Sequence, residues 1–289
     1  MTVRIVTDST ADLPPELIEQ LGITVVPVYV RFGQNVFRDG LDISQDEVYC
    51  RILSENATAT TSQPSPNDFL EYYERLLNGT ADQIVSLHLS SKLSGTYNAA
   101  LSGRELSLHK DKITVVDTLS LSMGLGFCVL AAARLAQAKA ELSEIIQAAK
   151  GTTSLTRISA AFDTLKYVLK SGRLGAAKAL IGGILNVKPI LTLKDGVLWP
   201  SGIARTRQRA LDSLVDFAKK TSGVEEAAIV YSTTPDEAHT LKERLSEFLD
   251  QRMIYISRLG PALGAHGGPG TIVLALKRNL TPSGKTNHP

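Results

Sequence analysis

The sequence predicts an α/β fold of two domains, and three observations support that prediction. The chain has 289 residues, which is enough for two hydrophobic cores of ordinary size. In residues 1–150 short apolar strands alternate with helices, a pattern typical of βαβ units and a parallel sheet. After residue 150 the rhythm changes, and residues 151–280 predict an α+β domain with a mixed sheet. Residues 281–289 are predicted to be a loose tail.

The elements of the N-terminal domain follow from apolar runs and turn residues. Residues 3–7 predict a first strand, and Pro14-Pro15 opens a helix, since proline is tolerated in a first helical turn. A β-branched strand at 24–30 is followed by turn signals, which predicts a small hairpin arm. A capping box that begins at Ser44 predicts the next helix. The remaining predicted elements are a helix at 66–77, strands at 84–89 and 113–116, and a buried helix within 119–133.

The C-terminal domain is predicted to begin near Gly151, with a strand at 158–162 and two helices broken at Ser171-Gly172. Asp195-Gly196 stands between two apolar runs and is typical of a two-residue hairpin turn. The other predicted elements are the hairpin strands at 189–193 and 197–203, helices at 207–219 and 235–249, and strands at 228–231, 254–257 and 272–276.

Composition argues against nucleic acid as a partner. Lys and Arg number 31 against 29 acidic residues, so the chain has no strong field for polyanions, and 6% aromatic residues are too few for base stacking. The N-terminus predicts a strand and not a signal peptide. The apolar run 119–133 is shorter than the roughly 20 residues that span a bilayer. Cys50 and Cys128 lack metal-ligand spacing and are interpreted as reduced, buried thiols. We therefore expect a cytoplasmic protein without a metal site or stable membrane insertion.

Polar residues concentrate in three loops at which a ligand is expected, because open α/β sheets bind ligands at the carboxyl edge of their strands. The first loop, 60–66, contains Thr61 and Ser62 on a backbone that two prolines restrict. A helix cap formed by Ser65 explains part of this loop but requires neither Thr61 nor Ser62.

The second loop, 89–96, contains Ser94 and Gly95 before a helix, where free N–H groups favour an anion. Helix capping by Ser94 or Thr96 is the alternative explanation. The third loop, 259–270, contains His266 among five glycines and two prolines, which indicates a fixed backbone around one imidazole.

Together these loops offer hydroxyls, helix N–H groups and an imidazole, a set that suits one carboxylate. Catalysis is the main alternative, with Ser94 as nucleophile and His266 as base of an esterase or acyltransferase. The sequence around Ser94 lacks the G-x-S-x-G elbow, and no acid is evidently placed to orient the histidine. A nucleotide-binding module is less well supported, because the phosphate-binding lysine loop and the G-x-G-x-x-G turn are missing.

At these loops the sequence resembles the DegV family of bacterial fatty-acid-binding proteins. Eight motifs that run in order along nearly the whole chain carry the resemblance. They are Ile5-Val-Thr-Asp-Ser-Thr-Ala-Asp-Leu-Pro14, Thr61-Ser-Gln-Pro-Ser65, Ser90-Ser-Lys-Leu-Ser-Gly-Thr-Tyr97, Val115-Val-Asp-Thr118, Asp163-Thr-Leu-Lys-Tyr167, Ser171-Gly-Arg-Leu-Gly175, Asn186-Val-Lys-Pro-Ile190 and His266-Gly-Gly-Pro-Gly270.

The resemblance implies a tunnel between the domains that holds one long-chain fatty acid of the palmitate, stearate or oleate class, without a cofactor. Thr61, Ser62 and Ser94 would bind the carboxylate, with the Gly95 N–H and His266 beside it. The resemblance also implies a carrier that is not itself an enzyme. A separate fatty acid kinase would phosphorylate the carboxylate, and transient membrane contact is compatible with that role.

Basic residues implied to face the kinase are Arg173, Arg205 and Arg207. The apolar segment 175–187 is expected to line the tunnel, or else to be a core helix. Two departures from the family pattern, Ser171-Gly172 before the arginine and Gly-Gly after His266, affect loop geometry and none of the hydroxyl ligands.

Overall fold

A computed structural model describes residues 1–55, 57–173 and 187–279 of the chain. These residues form the predicted α/β fold, with a parallel-sheet N-terminal domain and a mixed-sheet C-terminal domain. The predicted lining segment 175–187, apart from Val187, and the predicted tail 281–289 lie outside the described residues. The helix predicted after Ser171-Gly172 lies outside them as well. The domain limits near Gly151, a residue that lies within a helix, remain a prediction.

The elements of the first half are strands β1 (Val3–Asp8), β2 (Thr24–Val26), β3 (Tyr29–Phe32), β4 (Asn35–Arg38), β5 (Ala59–Ser62), β6 (Gln83–His88) and β7 (Ile113–Asp117), and helices α1 (Pro15–Leu21), α2 (Gln45–Ser54), α3 (Pro66–Leu77), α4 (Thr96–Leu106), α5 (Ser122–Gln137) and α6 (Leu142–Leu155). The elements of the second half are strands β8 (Thr156–Ala161), β9 (Lys188–Lys194), β10 (Val197–Ala204), β11 (Val224–Tyr231), β12 (Ile254–Arg258) and β13 (Ile272–Arg278), and helices α7 (Lys166–Ser171), α8 (Arg207–Lys220), α9 (Pro235–Ser246) and α10 (Pro261–Gly267).

The N-terminal sheet has the strand order β2-β1-β6-β7, and all its neighbouring strands are parallel. The predicted βαβ units are therefore confirmed. Parallel neighbours bring the carboxyl ends of β1 and β6 to one edge, where the loop 89–96 begins.

The hairpin arm is a separate antiparallel sheet of order β4-β3-β5. The prediction that residues 60–66 form only a loop was wrong for its first part, because Thr60, Thr61 and Ser62 belong to β5. Thr61 pairs with Val30 of β3, a partner about thirty residues away that local sequence patterns do not reveal.

The C-terminal sheet has the order β10-β9-β8-β13-β11-β12, in which only the β11–β12 pair is parallel among the described strands. The predicted hairpin is confirmed, since Asp195 and Gly196 both have positive φ angles, 51° and 78°. This is the backbone that a tight two-residue turn between twisted strands requires.

Helix α5 lies between the two large sheets, and its burial confirms the predicted buried helix. Its side chains share one hydrophobic cluster with β1 and β6 on one side and with β8, β11 and β13 on the other. Helices α3 and α4 cover the opposite face of the N-terminal sheet, and α8 and α9 cover that of the C-terminal sheet. The layers therefore alternate as helix, sheet, helix, sheet, helix.

Two further expectations concern cysteines and membrane spans. Cys128 is buried in α5 as predicted, but Cys50 is exposed because it lies on the outer face of α2, so the prediction of two buried thiols was wrong for Cys50. Among the described residues, none of the helices combines the length and the apolar character that a bilayer crossing requires.

Candidate functional site

His266 lies near the end of α10, a seven-residue helix that begins with Pro261. The prediction that residues 259–270 form a loop was therefore wrong in its central part. Proline suits the first turn of a helix, and Gly268, with a φ of 76°, ends it. The glycines and prolines mark the two ends of a short helix and not one continuous loop.

Thr61 and His266 meet across the molecule, with Thr61 Oγ1 2.7 Å from His266 Nε2. Strand β5 presents the hydroxyl, and α10 presents the partly exposed ring. Burial and the nearby positive charge of Arg173 lower the pKa of His266 to about 4. At neutral pH the imidazole is therefore uncharged, with one nitrogen as donor and the other as acceptor.

The loops around Ser62 and Ser94 also meet. A Cβ added to Gly95 would lie 2.7 Å from Gln63 Nε2, so the two loops are in direct contact. Ser94 Oγ accepts a hydrogen bond from the Thr96 N–H at 3.3 Å, but the N-cap residue of α4 is Gly95 and no side chain caps this helix, so the capping role considered for Ser94 was wrong.

Arg173 is an exposed residue that lies between the loop 89–96 and α10. Its Nε donates a hydrogen bond to the Leu93 carbonyl oxygen at 3.5 Å, and it lines two cavities together with His266. Arg205 and Arg207 lie elsewhere and line neither cavity. Arg207 pairs with Glu237 at 2.6 Å and with Asp163 at 3.5 Å.

The two cavities that share Arg173 and His266 differ in character. The first, the polar pocket, has a mixed wall in which Thr58, Thr60, Thr61, Lys166 and Lys170 lie beside Ile52, Ala57, Ala59 and Ala265. The second lies between the two large sheets, and Arg173, His266, Gly267 and Thr271 are the only lining residues, among those the structure describes, that are not Ala, Val, Leu, Ile or Phe. Its apolar wall comprises Leu89, Leu93, Leu121, Ile158, Ala160, Phe162, Val168, Leu191, Leu193, Leu198, Leu259, Leu263 and Val273.

The cavities therefore contain some of the predicted site residues and not others. Thr61 and His266 line them, and so does Leu93, the neighbour of Ser94. Ser62, Ser94 and Gly95 lie next to this region without lining either cavity in the described part of the chain. Their assignment to a carboxylate remains a prediction.

Two buried carboxyl groups hold the start of α10, and the sequence reasoning did not identify them as part of the site. Asp12 Oδ1 accepts the Gly260 N–H at 2.9 Å, and Asp39 Oδ2 accepts the Ala262 N–H at 3.1 Å. Burial raises the pKa of Asp12 to about 8 and that of Asp39 to about 7. Asp12 lies within the first of the eight motifs named above, and that motif was the available sequence signal for Asp12.

A second histidine forms a buried polar network. Asp8 Oδ2 is 2.9 Å from His88 Nδ1, and Ser86 Oγ is 2.7 Å from His88 Nε2. All three side chains have 0% exposure. The trio therefore has the residue types of a hydrolase triad without access for a substrate, and it joins β1 to β6 in the core.

Comparison with known proteins gives one consistent result. A family model described as "Uncharacterised protein, DegV family" matches residues 2–278. The chain is 39% identical over 274 residues to a DegV domain-containing protein of Streptomyces coelicolor, covering 93% of this chain and 96% of that protein.

Solved structures agree with the family match. A fatty-acid-binding DegV family protein from Thermus thermophilus superposes with a TM-score of 0.89 at 34% identity, covering 96% of this chain and all of that chain. DegV of Bacillus subtilis, described as a fatty acid binding protein, gives 0.86 at 30% identity with the same coverage. A stearic-acid-binding protein from Eubacterium ventriosum gives 0.87 at 25% identity, covering 96% and 98% of the two chains. The chain belongs to the DegV family.

Proposed function

We propose that the protein binds one long-chain fatty acid, with the acyl chain in the apolar cavity and the carboxylate near Thr61 and His266. The observation that carries this proposal is the junction of the two cavities. The apolar cavity and the polar pocket share His266 and Arg173, so the two environments that an amphipathic ligand needs lie side by side. Ser62, Ser94 and Gly95 complete the proposed head-group site.

The acyl chain supplies most of the binding free energy in this proposal. Each buried methylene contributes about 0.8 kcal/mol, so a chain of roughly 16 carbons contributes on the order of 10 kcal/mol before the costs of association. The fatty acids bound by the structural relatives, stearic acid among them, support a ligand of the palmitate, stearate or oleate class.

The polar pocket beside the head group suits presentation of the carboxylate to a second protein. The partner is a fatty acid kinase, which docks on the basic residues Arg173, Arg205 and Arg207 and transfers a phosphoryl group to the carboxylate. Such a transfer draws on a nucleoside triphosphate, which places the pair in the cytoplasm. The tunnel then runs between an N-terminal domain of residues 1–150 and a C-terminal domain of residues 151–280.

Mass spectrometry of an organic extract of the purified protein tests the first step. We expect about one fatty acid per chain, because apolar burial of this size withstands dilution and chromatography. A protein that purifies with a nucleotide or a sugar, or that takes up no fatty acid from solution, contradicts the proposal.

Two substitutions test the carboxylate site in a reconstituted assay with the kinase. Ser94→Ala and His266→Ala are expected to retain lipid, since the acyl chain supplies most of the affinity, and to lose acyl phosphate formation, since transfer requires a fixed carboxylate. Ser91→Ala, on the same loop as Ser94, is the matched control. Full phosphorylation by both variants would show that these residues are structural. Esterase activity that Ser94→Ala abolishes would favour the enzyme alternative.

A further inference from the structure

The hydroxyl group of Thr271 is buried without a hydrogen-bond partner among the residues that the structure describes. Thr271 is 1% exposed and directly precedes β13. Its backbone is fully paired, because its N–H donates to Ser232 Oγ at 2.8 Å and its carbonyl oxygen accepts the Ser232 N–H at 2.9 Å. Only the side-chain hydroxyl of Thr271 lacks a hydrogen-bond partner among the described residues. Burying an unpaired hydroxyl is costly, and valine would fill the same volume without that cost.

The position of this hydroxyl relates it to the ligand. Thr271 lines the apolar cavity together with His266 and Arg173, the two residues that this cavity shares with the polar pocket. A Cβ added to Gly267 would lie 3.0 Å from Thr271 Oγ1, so the hydroxyl sits against the residue that follows His266.

Three other buried polar atoms lack a partner within the described ranges, and none of them lines this cavity. They are Thr7 Oγ1, Thr234 Oγ1 and Arg258 Nε. Among these four described residues only Thr271 thus lines the cavity, and a group that enters the cavity can supply the missing acceptor.

We infer that Thr271 is a ligand-binding residue whose hydroxyl donates a hydrogen bond to the carboxylate of the bound fatty acid. The inference rests on the proposed function and extends it, since it assigns a head-group donor on the C-terminal sheet. A hydrogen bond to a charged acceptor is stronger than one to a neutral acceptor. The Thr271 hydroxyl is therefore expected to make the protein bind the ionised fatty acid more tightly than its neutral ester.

The test titrates delipidated protein with oleate and with methyl oleate by calorimetry. Thr271→Val is expected to weaken oleate binding by about ten- to a hundredfold, the range for one charge-assisted hydrogen bond, and methyl oleate binding by much less. Thr271→Ser keeps the hydroxyl and is expected to bind oleate nearly as well as the unmodified protein. Thr7→Val makes the same change at another buried, unpaired threonine outside the cavity and should leave both affinities unchanged.

Several outcomes overturn the inference. Equal oleate affinity in Thr271→Val and the unmodified protein would show that the hydroxyl does not reach the ligand. Equal weakening for oleate and methyl oleate, or equal losses in Thr271→Ser and Thr271→Val, would show that the side chain acts by packing. If the unmodified protein binds neither compound, the proposed function itself fails, and the inference falls with it.

Discussion

Replacing Asp12 with asparagine tests whether the carboxyl groups at the start of α10 carry protons at neutral pH. Asp12 and Asp39 are 6% and 5% exposed, and burial raises their pKa values to about 8 and about 7. Asp12 also accepts a hydrogen bond from Ser122 Oγ at 2.5 Å. The asparagine amide can donate to that oxygen as a protonated carboxyl group would, so Asp12→Asn mimics the protonated state.

The sign of the pH dependence follows from proton counts in the two states. In the unfolded chain both carboxyl groups return to a pKa of about 3.8, so near neutral pH the native protein binds more protons than the unfolded chain. The stabilisation that the two protonated carboxyl groups contribute to the native state is fully present below pH 3.8 and is lost as the pH rises through 7 and 8. At pH 7 the excess is about 1.4 protons, which corresponds to a slope of about 2 kcal/mol per pH unit.

Urea denaturation between pH 6.5 and 8 measures this slope. His266, whose native pKa is lowered to about 4, contributes a slope of the opposite sign, and this contribution falls from about half a proton at pH 6.5 to almost none at pH 8 as the unfolded histidine loses its proton. We expect the free energy of unfolding to fall with rising pH, and Asp12→Asn to remove more than half of that slope. Asp111→Asn, at an exposed site, is the control. Parallel pH profiles for Asp12→Asn and the unmodified protein would refute the reasoning.

Two further substitutions probe the packing of α10. Tyr49→Phe removes a buried hydroxyl that donates to the Leu259 carbonyl oxygen at 3.1 Å. We expect the free energy of unfolding, measured by urea denaturation, to fall by about 1–2 kcal/mol. An unchanged free energy of unfolding would contradict this expectation. Gly268→Ala places a Cβ 2.0 Å from the Tyr167 ring at a φ of 76°, with an expected cost of about 3 kcal/mol from strain and overpacking. Gly40→Ala, with a φ of 74° and open space around the added Cβ, should cost only about 1 kcal/mol, so equal losses of melting temperature would disprove the clash.

Much of the fold was predictable because its signals are local. Apolar runs followed by polar loops marked the strands of the parallel sheet, and Asp195-Gly196 marked the hairpin. Two of the elements that were missed depend on distant partners. Strand β5 is a four-residue polar segment that is ordered by pairing with β3, and α10 is short and bounded by glycine and proline. Local patterns read both as loops.

The site was predictable to the extent that it uses sequence motifs. Thr61 and His266 were identified from their loops and lie 2.7 Å apart. Thr271, Asp12 and Asp39 were not identified, because their interest depends on burial and on which hydrogen bonds they make or lack. A hydroxyl or a carboxyl group has no distinctive sequence pattern when only its tertiary surroundings make it unusual.

The placement of His266 links the site to the packing of the two halves. A seven-residue helix such as α10 is too short to be stable alone, so tertiary contacts must hold it. Asp12 and Asp39 hold its first turn, and Thr61 contacts the His266 ring near its last turn. All three come from the first half of the chain, whereas α10 follows β12 of the C-terminal sheet. The proposed head-group site therefore exists only when the halves are packed, and a ligand that binds there must stabilise that packing by mass action.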